Sequence, residues 1–124
     1  MLKYLHIVVV LGLGVYFAGC SSTKLEPGAE KVRLTNQEPQ GCEYLGEIAG
    51  SQGNAITGAY TSNDNLAEGA RNDLKNKGLA KGANVIHVLA SRDGMTIGQY
   101  GGSKSSSNME GVAYRCPEKK TTTK

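Results

Sequence analysis

The sequence predicts a small α+β domain, in which one helix packs on a three- to four-stranded mixed sheet. Apolar residues recur every three or four positions over 66–78, which indicates an amphipathic helix. Residues 83–90 form a continuous apolar run rich in β-branched side chains, which is typical of a buried strand. Cys42 and Cys116 lie at the outer ends of the remaining strand-like sequence. Together these observations predict a split β-α-β domain stapled by one disulfide.

Two strands are expected before the helix. Residues 31–35 form the weaker candidate, in which Val32 and Leu34 alternate with charged residues. Residues 43–49 have the composition of a strand, and Gly50 is expected to end it. The glycine-rich stretch 50–58 then reads as a mobile surface loop, because it lacks the residues of a phosphate-binding loop.

The helix is expected to begin at Asn65, with Glu68 three residues later as a variant of the capping box. Gly82 suits a left-handed cap at its end. The residues predicted to face the sheet are Leu66, Ala67, Ala70, Leu74 and Gly78, and those predicted to face outward are Glu68, Arg71, Asn72, Lys75 and Asn76.

The final strand is predicted at 109–116, and it defines the topology. The strands on either side of the helix would be parallel and joined by a right-handed crossover. If the last strand returns antiparallel between them, Cys116 comes beside Cys42, within the roughly 7 Å between α-carbons that a disulfide requires. Residues 94–108 are left as a long loop, either disordered or presenting Met95, Ile97 and Tyr100 to a partner.

The first 20 residues resemble a bacterial lipoprotein signal. Lys3 supplies a positive charge, residues 7–18 are apolar apart from two glycines, and Gly19 precedes Cys20. In that class of signals the cysteine thiol receives diacylglycerol and the preceding peptide is removed. The resemblance implies a signal peptide at 1–19, lipidation of Cys20 and, because Ser21 is not Asp, sorting to the outer membrane. An uncleaved anchor is the alternative, although the run is short for a bilayer span of about 20 residues.

With Cys20 lipidated, Cys42 and Cys116 remain as an even pair in an oxidising compartment, which favours a disulfide. The alternative is a metal or redox pair, but the two cysteines do not form the C-x-x-C motif of such sites. A bridge would close a loop of about 75 residues and contribute roughly 4–5 kcal/mol in the chain-entropy model.

The chain has room for one domain. We expect a flexible tether at 20–30, a single α+β domain at 31–117 and a disordered polar tail at 118–124. Without Lys3, 13 basic and 11 acidic residues remain, and this net charge of +2 is too small and scattered for a nucleic-acid interface. No nucleotide or other cofactor is expected.

Catalytic residues are not evident in the sequence. His87 is the one histidine after the signal, and its place in the most apolar strand favours a packing role. No serine occupies a nucleophile elbow, and no carboxylates form a recognisable acid–base pair. We therefore expect no enzymatic activity and no metal site.

Four motifs carry a further resemblance: GCEYLGE at 41–47, ARNDLKNK at 70–77, GANVI at 82–86 and GVAYRC at 111–116. This set is similar to a family of small Gram-negative lipoproteins with an uncharacterised domain. More distantly it resembles the RcsF outer-membrane lipoproteins, which sense envelope damage. RcsF-like domains carry two disulfides and a long Pro-rich basic tether, whereas this chain has cysteines for one disulfide and lacks such a tether.

The expected function is therefore that of a membrane-anchored envelope lipoprotein, a non-enzymatic binding or stress-sensing module. Its expected partners are the lipid bilayer, through acylated Cys20, and an envelope protein or cell-wall component. The alternatives are a small periplasmic metal-binding domain that uses His87 or free Cys42 and Cys116, and a small hydrolase.

Overall fold

The computed structural model describes residues 22–54, 62–98 and 101–118. In chain order they form a 3-10 turn at Ala29–Lys31, β1 at Arg33–Thr35, β2 at Glu43–Gly53, α1 at Asn63–Ala80, β3 at Val85–Gly98 and β4 at Gly101–Arg115. The predicted signal peptide at 1–19, Cys20, Tyr100 and residues 119–124 of the predicted tail lie outside the described residues. No helix in the described part of the chain is long and apolar enough to cross a bilayer.

The four strands form one mixed sheet in the order β1-β3-β4-β2. β4 runs antiparallel to both of its neighbours, while β1 is parallel to β3. β2 and β3 are consequently parallel to each other, separated by β4 and connected through α1. This arrangement confirms the predicted α+β class and the predicted position of the last strand between the two strands that flank the helix.

Helix α1 begins two residues earlier than the sequence predicted. Ser62 is its N-cap, and the Ser62 hydroxyl accepts a hydrogen bond from the backbone N–H of Asn65 at 3.2 Å. Serine is as good a cap as asparagine, and Asp64 places a negative charge in the first turn, where the helix dipole favours it. The prediction that the helix begins at Asn65 was therefore wrong, because Ser62, a neighbouring residue that also favours the cap position, is the N-cap.

The end of α1 follows the predicted geometry. Gly82 has a φ of +80°, and its N–H donates to the carbonyl of Leu79 at 2.9 Å. The next N–H, of Ala83, donates to the carbonyl of Gly78 at 2.9 Å. These two bonds form a Schellman motif, and they turn the chain directly from the helix into β3.

The core lies between α1 and the sheet. Its buried members are Val32, Ile48, Leu74, Ala83, Ile86 and Ala113. The helix approaches β2 very closely at Gly50, where an added Cβ would overlap the carbonyl oxygen of Ala70 and the amide nitrogen of Leu74. Gly50 therefore lies within β2 as a contact point for the helix, instead of ending the strand as predicted.

The predicted loop at 94–108 is wrong, because its described residues, 94–98 and 101–108, form the outer half of a long β3–β4 hairpin. Pairing continues from Gly94 opposite Ser106 to Gly98 opposite Gly101, with register shifts between Val88 and Ala90 and between Gly94 and Met95. Glycine and serine have low strand propensity, which made the segment look irregular. Cross-strand contacts compensate, including the Lys104–Asp93 ion pair at 2.9 Å.

Residues 23–26, inside the predicted tether, are hydrogen-bonded along α1. The Asn72 side chain donates to the carbonyl of Thr23 at 2.9 Å, and the Asn76 side chain accepts from the N–H of Glu26 at 2.8 Å. The sequence assigned both asparagines to the outer face of the helix. They do face away from the sheet, but they bind the chain segment that precedes β1.

The outer edge of β2 is bonded to side chains of α1. The N–H of Ser51 donates to the Asp73 carboxylate at 2.9 Å, and the Lys77 ammonium donates to the carbonyl of Ala49 at 2.8 Å. Asp73 and Lys77 also form an ion pair with each other at 2.7 Å, one helical turn apart. Two polar groups of an edge strand are thereby occupied from within the molecule.

Candidate binding cleft at the disulfide end

Cys42 and Cys116 form the predicted disulfide, with their α-carbons 4.3 Å apart. Cys42 immediately precedes β2 and Cys116 immediately follows β4, and Glu43 lies opposite Arg115 in the ladder between these strands. The covalent bond therefore extends the antiparallel ladder by one pair. It fixes one end of the sheet, which we call the disulfide end.

Asn84, which directly precedes β3, binds the backbone of Cys116. Its side-chain amide donates to the carbonyl of Cys116 at 2.7 Å, and its side-chain oxygen accepts from the N–H of Cys116 at 2.7 Å. The backbone of Asn84 also accepts from Arg33 and donates to Tyr114. Asn84 thus joins β1, β3 and β4 at the disulfide end, a role that its place in the GANVI motif did not reveal.

A cleft of about 760 Å³ opens at the disulfide end. One wall comes from the start of β1, a second from the loop between β1 and β2, and the floor from the disulfide and the start of β3. The lining residues are Lys31, Arg33, Pro39, Gln40, Gly41, Cys42, Asn84, Val85, Cys116, Pro117 and Glu118. The structure makes this cleft the candidate functional site.

Positive charge is concentrated on one wall of the cleft. Lys31 and Arg33 are exposed, and within the described residues neither side chain forms an ion pair or a hydrogen bond. Arg115, at the same end, is 3.6 Å from the carboxylate of Glu43. A free lysine beside a free arginine suits an anionic group such as a carboxylate or phosphate. The sequence analysis treated these residues only as the polar positions of a weak strand.

Tyr114 attaches the loop wall of the cleft to the sheet. Its hydroxyl donates to the carboxylate of Glu38 at 3.2 Å, and its ring packs edge-to-face on Tyr44 with the centroids 6.0 Å apart. Burial raises the pKa of Tyr114, and the Glu38 carboxylate raises it further. The phenol therefore stays protonated and keeps donating to Glu38 at neutral pH.

The residues considered for metal binding do not form a set of metal ligands in the described part of the chain. His87 is half-buried in β3, between Thr35 of β1 and Val112 of β4. The sulfurs of Cys42 and Cys116 are bonded to each other, so neither is available as a thiolate ligand. No group of three His, Cys, Asp or Glu side chains suited to a metal occurs over residues 22–54, 62–98 and 101–118.

Comparison with known proteins identifies the family. Residues 23–116 match the model of a domain of unknown function, DUF4156. The chain belongs to the DUF4156 family. It is 31% identical to the uncharacterised protein YjeI of Escherichia coli K12 over 114 residues, which cover 90% of this chain and 96% of YjeI. YjeI of Shigella flexneri matches to the same extent.

The limits of the DUF4156 match coincide with physical boundaries in the structure. The match starts at Thr23, where the chain becomes hydrogen-bonded to α1, and it ends at Cys116, the second half of the disulfide. The DUF4156 domain therefore includes the segment before β1 that the sequence analysis assigned to a tether.

Proposed function

We propose that this DUF4156 protein is an outer-membrane lipoprotein that is anchored through acylated Cys20 and binds an envelope partner without catalysing a reaction. The observation that carries the proposal is the Cys42–Cys116 disulfide. Disulfides form and persist in exported proteins and are rare in the bacterial cytosol. This bond is therefore consistent with the export signal predicted at 1–19.

The lipid anchor is supported by the residues around Cys20. Small residues precede this cysteine, and the apolar segment before it ends at Ala18. Two or more acyl chains at one site give stable membrane attachment, at about 0.8 kcal/mol per buried methylene, whereas a single chain gives marginal binding. Ser21 in the second mature position supports export onward to the outer membrane.

The disulfide-end cleft supports the binding role. It is open to solvent, it presents the unpaired cations Lys31 and Arg33, and its floor is rigid because the disulfide and Asn84 fix it. A preorganised surface loses less entropy on binding than a mobile one. The chemistry favours an anionic partner, either an acidic protein surface or a cell-wall polymer with free carboxylates.

Substitution of Cys20 tests the anchor. Cys20→Ala should leave an unprocessed precursor that incorporates no labelled palmitate and is lost from the outer-membrane fraction. Ser21→Asp is the matched control: it should incorporate palmitate normally but shift to the inner membrane. Palmitate entering the Cys20→Ala protein at the wild-type level would contradict the lipidation assignment.

Charge reversal tests the cleft. With a photo-cross-linker at Gln40 in living cells, the combined variant Lys31→Glu and Arg33→Glu should lose the cross-linked product that the parent protein forms. Arg92→Glu changes an exposed cation far from the cleft and should keep that product. An unchanged cross-linking pattern in the cleft variant would show that these cations do not bind the partner.

A further inference from the structure

The position at which the chain enters the domain constrains how the molecule sits on a membrane. The N–H and hydroxyl of Thr23 both donate to the side-chain oxygen of Gln52, at 2.8 and 2.6 Å. The carbonyl of Thr23 accepts from Asn72 at 2.9 Å. Thr23 is therefore fixed between the end of β2 and the middle of α1.

Only Ser21 and Ser22 separate this fixed point from Cys20. Three residue steps span at most about 11 Å, even when fully extended. The α-carbon of acylated Cys20, and with it the point of attachment to the bilayer, must then lie within about 11 Å of the α-carbon of Thr23. The domain cannot stand away from the membrane on a long tether.

The β3–β4 hairpin extends from the same end of the sheet. Gly53, next to Gln52, lies opposite Ser106, and Ser106 lies opposite Gly94 of β3. Beyond this line the hairpin has no third strand beside it among the described residues, and it continues to Gly98, a projection of about 14 Å. The tip of the hairpin is thus about two strand spacings, or roughly 10 Å, to the side of the anchored segment.

The projecting part carries large apolar side chains in water. Met95 is 67% exposed and Ile97 is 86% exposed. The nearby charges are paired, because Lys104, which lies opposite Met95, binds Asp93. An exposed apolar tip with its charges neutralised, held beside an acylated cysteine, matches the surface of a lipid interface.

We propose that the hairpin tip, defined by Met95 and Ile97, is a second membrane contact that inserts into the headgroup boundary of the bilayer that holds Cys20. This inference rests on the proposed lipid anchor. In this orientation the strands of the sheet run perpendicular to the plane of the bilayer. β3 is 14 residues long and runs from Val85 at the disulfide end to Gly98 at the hairpin tip, so the disulfide-end cleft would face away from the lipid at a height of about 40 Å.

Fluorescence of the full-length lipidated protein tests the contact. Ile97→Cys is labelled with an environment-sensitive dye and reconstituted in vesicles of phosphatidylethanolamine and phosphatidylglycerol that contain a doxyl-labelled lipid. Leu89→Cys is the matched control, since Leu89 is also an exposed apolar residue of β3, at 56%. It lies eight residues, or about 27 Å along the strand, from position 97.

The expected result is blue-shifted, doxyl-quenched emission from position 97 and water-like, unquenched emission from position 89.

Mass spectrometry and vesicle flotation report separately on the anchor. If the lipidated protein floats with the vesicles while both positions remain water-like, the hairpin contact is refuted and the anchor stands. If Cys20 carries no lipid, the proposed function fails, and the hairpin proposal fails with it because its distance limit no longer applies. A blue shift at position 97 that needs an added envelope extract and shows no doxyl quenching would assign the tip to a protein partner and overturn the proposal.

Discussion

Asn84 illustrates how one side chain can complete a sheet. At the disulfide end, β4 extends past the first residue of β3. There the Asn84 amide supplies the donor and the acceptor that another strand residue would have provided to Cys116. A buried or partly buried peptide group without such partners is costly. The amide therefore secures the residue that carries half of the disulfide.

We predict that Asn84→Ala lowers the free energy of unfolding by about 1–3 kcal/mol, because both hydrogen bonds to Cys116 are lost. Asn84→Asp keeps the acceptor for the N–H of Cys116 but removes the donor, so its effect should be intermediate. Chemical denaturation measures both. Asn63→Ala, at an exposed position in the first turn of α1, should stay within about 0.5 kcal/mol. Equal losses for Asn84→Ala and Asn63→Ala would refute the role given to Asn84.

The Asp93 carboxylate makes a pH-dependent contribution to the stability of the fold. The hydrogen bond from Lys104 lowers the pKa of the Asp93 carboxyl below its ordinary value, against a smaller opposing effect of burial. Because the folded-state pKa is the lower one, this interaction stabilises the fold above the ordinary pKa and is lost as pH falls through the folded-state pKa. NMR titration should show the depressed pKa in the parent protein and a rise toward the ordinary value in Lys104→Met. The distant change Lys31→Met should leave the Asp93 titration unaltered, and a Lys104→Met curve identical to the parent curve would exclude the ion pair.

At the scale of single elements, α1 was the most predictable part of the molecule. Of the five positions predicted to face the sheet, Leu66, Ala70, Leu74 and Gly78 are buried, while Ala67 is half-buried. The spacing of apolar residues reports directly on the face of a helix. The Schellman end was also predictable, because Gly82 is the residue type that this geometry requires. The hairpin was not predictable, because its outer half depends on cross-strand contacts and not on local propensity.

We predict that Leu74→Ala lowers the free energy of unfolding by about 2–5 kcal/mol, because Leu74 is fully buried against the sheet and its truncation leaves a cavity. Lys75→Ala, the next residue along the helix, should change stability by no more than about 0.5 kcal/mol. Urea denaturation of the two variants makes the comparison. Effects of similar size would mean that α1 presents a different face to the sheet.

For the whole molecule, the two cysteines and the strand order could be deduced together. An antiparallel last strand between two parallel strands is the arrangement that brings Cys42 beside Cys116, and the structure has both. The cleft could not be deduced, because its walls come from a nonperiodic loop and from the bond between Glu38 and Tyr114, 76 residues apart. Contacts of that kind leave no pattern in a single sequence.

The disulfide should account for a large share of the stability of the domain. Cys42→Ser and Cys116→Ser are each expected to lower the free energy of unfolding by about 2–5 kcal/mol. The double variant should cost little more than either single variant, because the two residues act as one unit. Thermal unfolding with and without reductant provides the independent measurement. A midpoint that does not change on reduction would contradict a stabilising role for the bond.

The side chains of α1 that bind the edge of β2 have a consequence where many copies of the protein lie close together. Proteins confined to a surface meet copies of themselves far more often than proteins in bulk solution, and an open strand edge is the usual template for runaway self-association. Here the Asp73 carboxylate and the Lys77 ammonium already bind the backbone of Ser51 and Ala49. A second copy would have to displace both side chains before it could add a strand there. We therefore expect the Asp73–Lys77 pair to hinder strand addition at this part of the β2 edge.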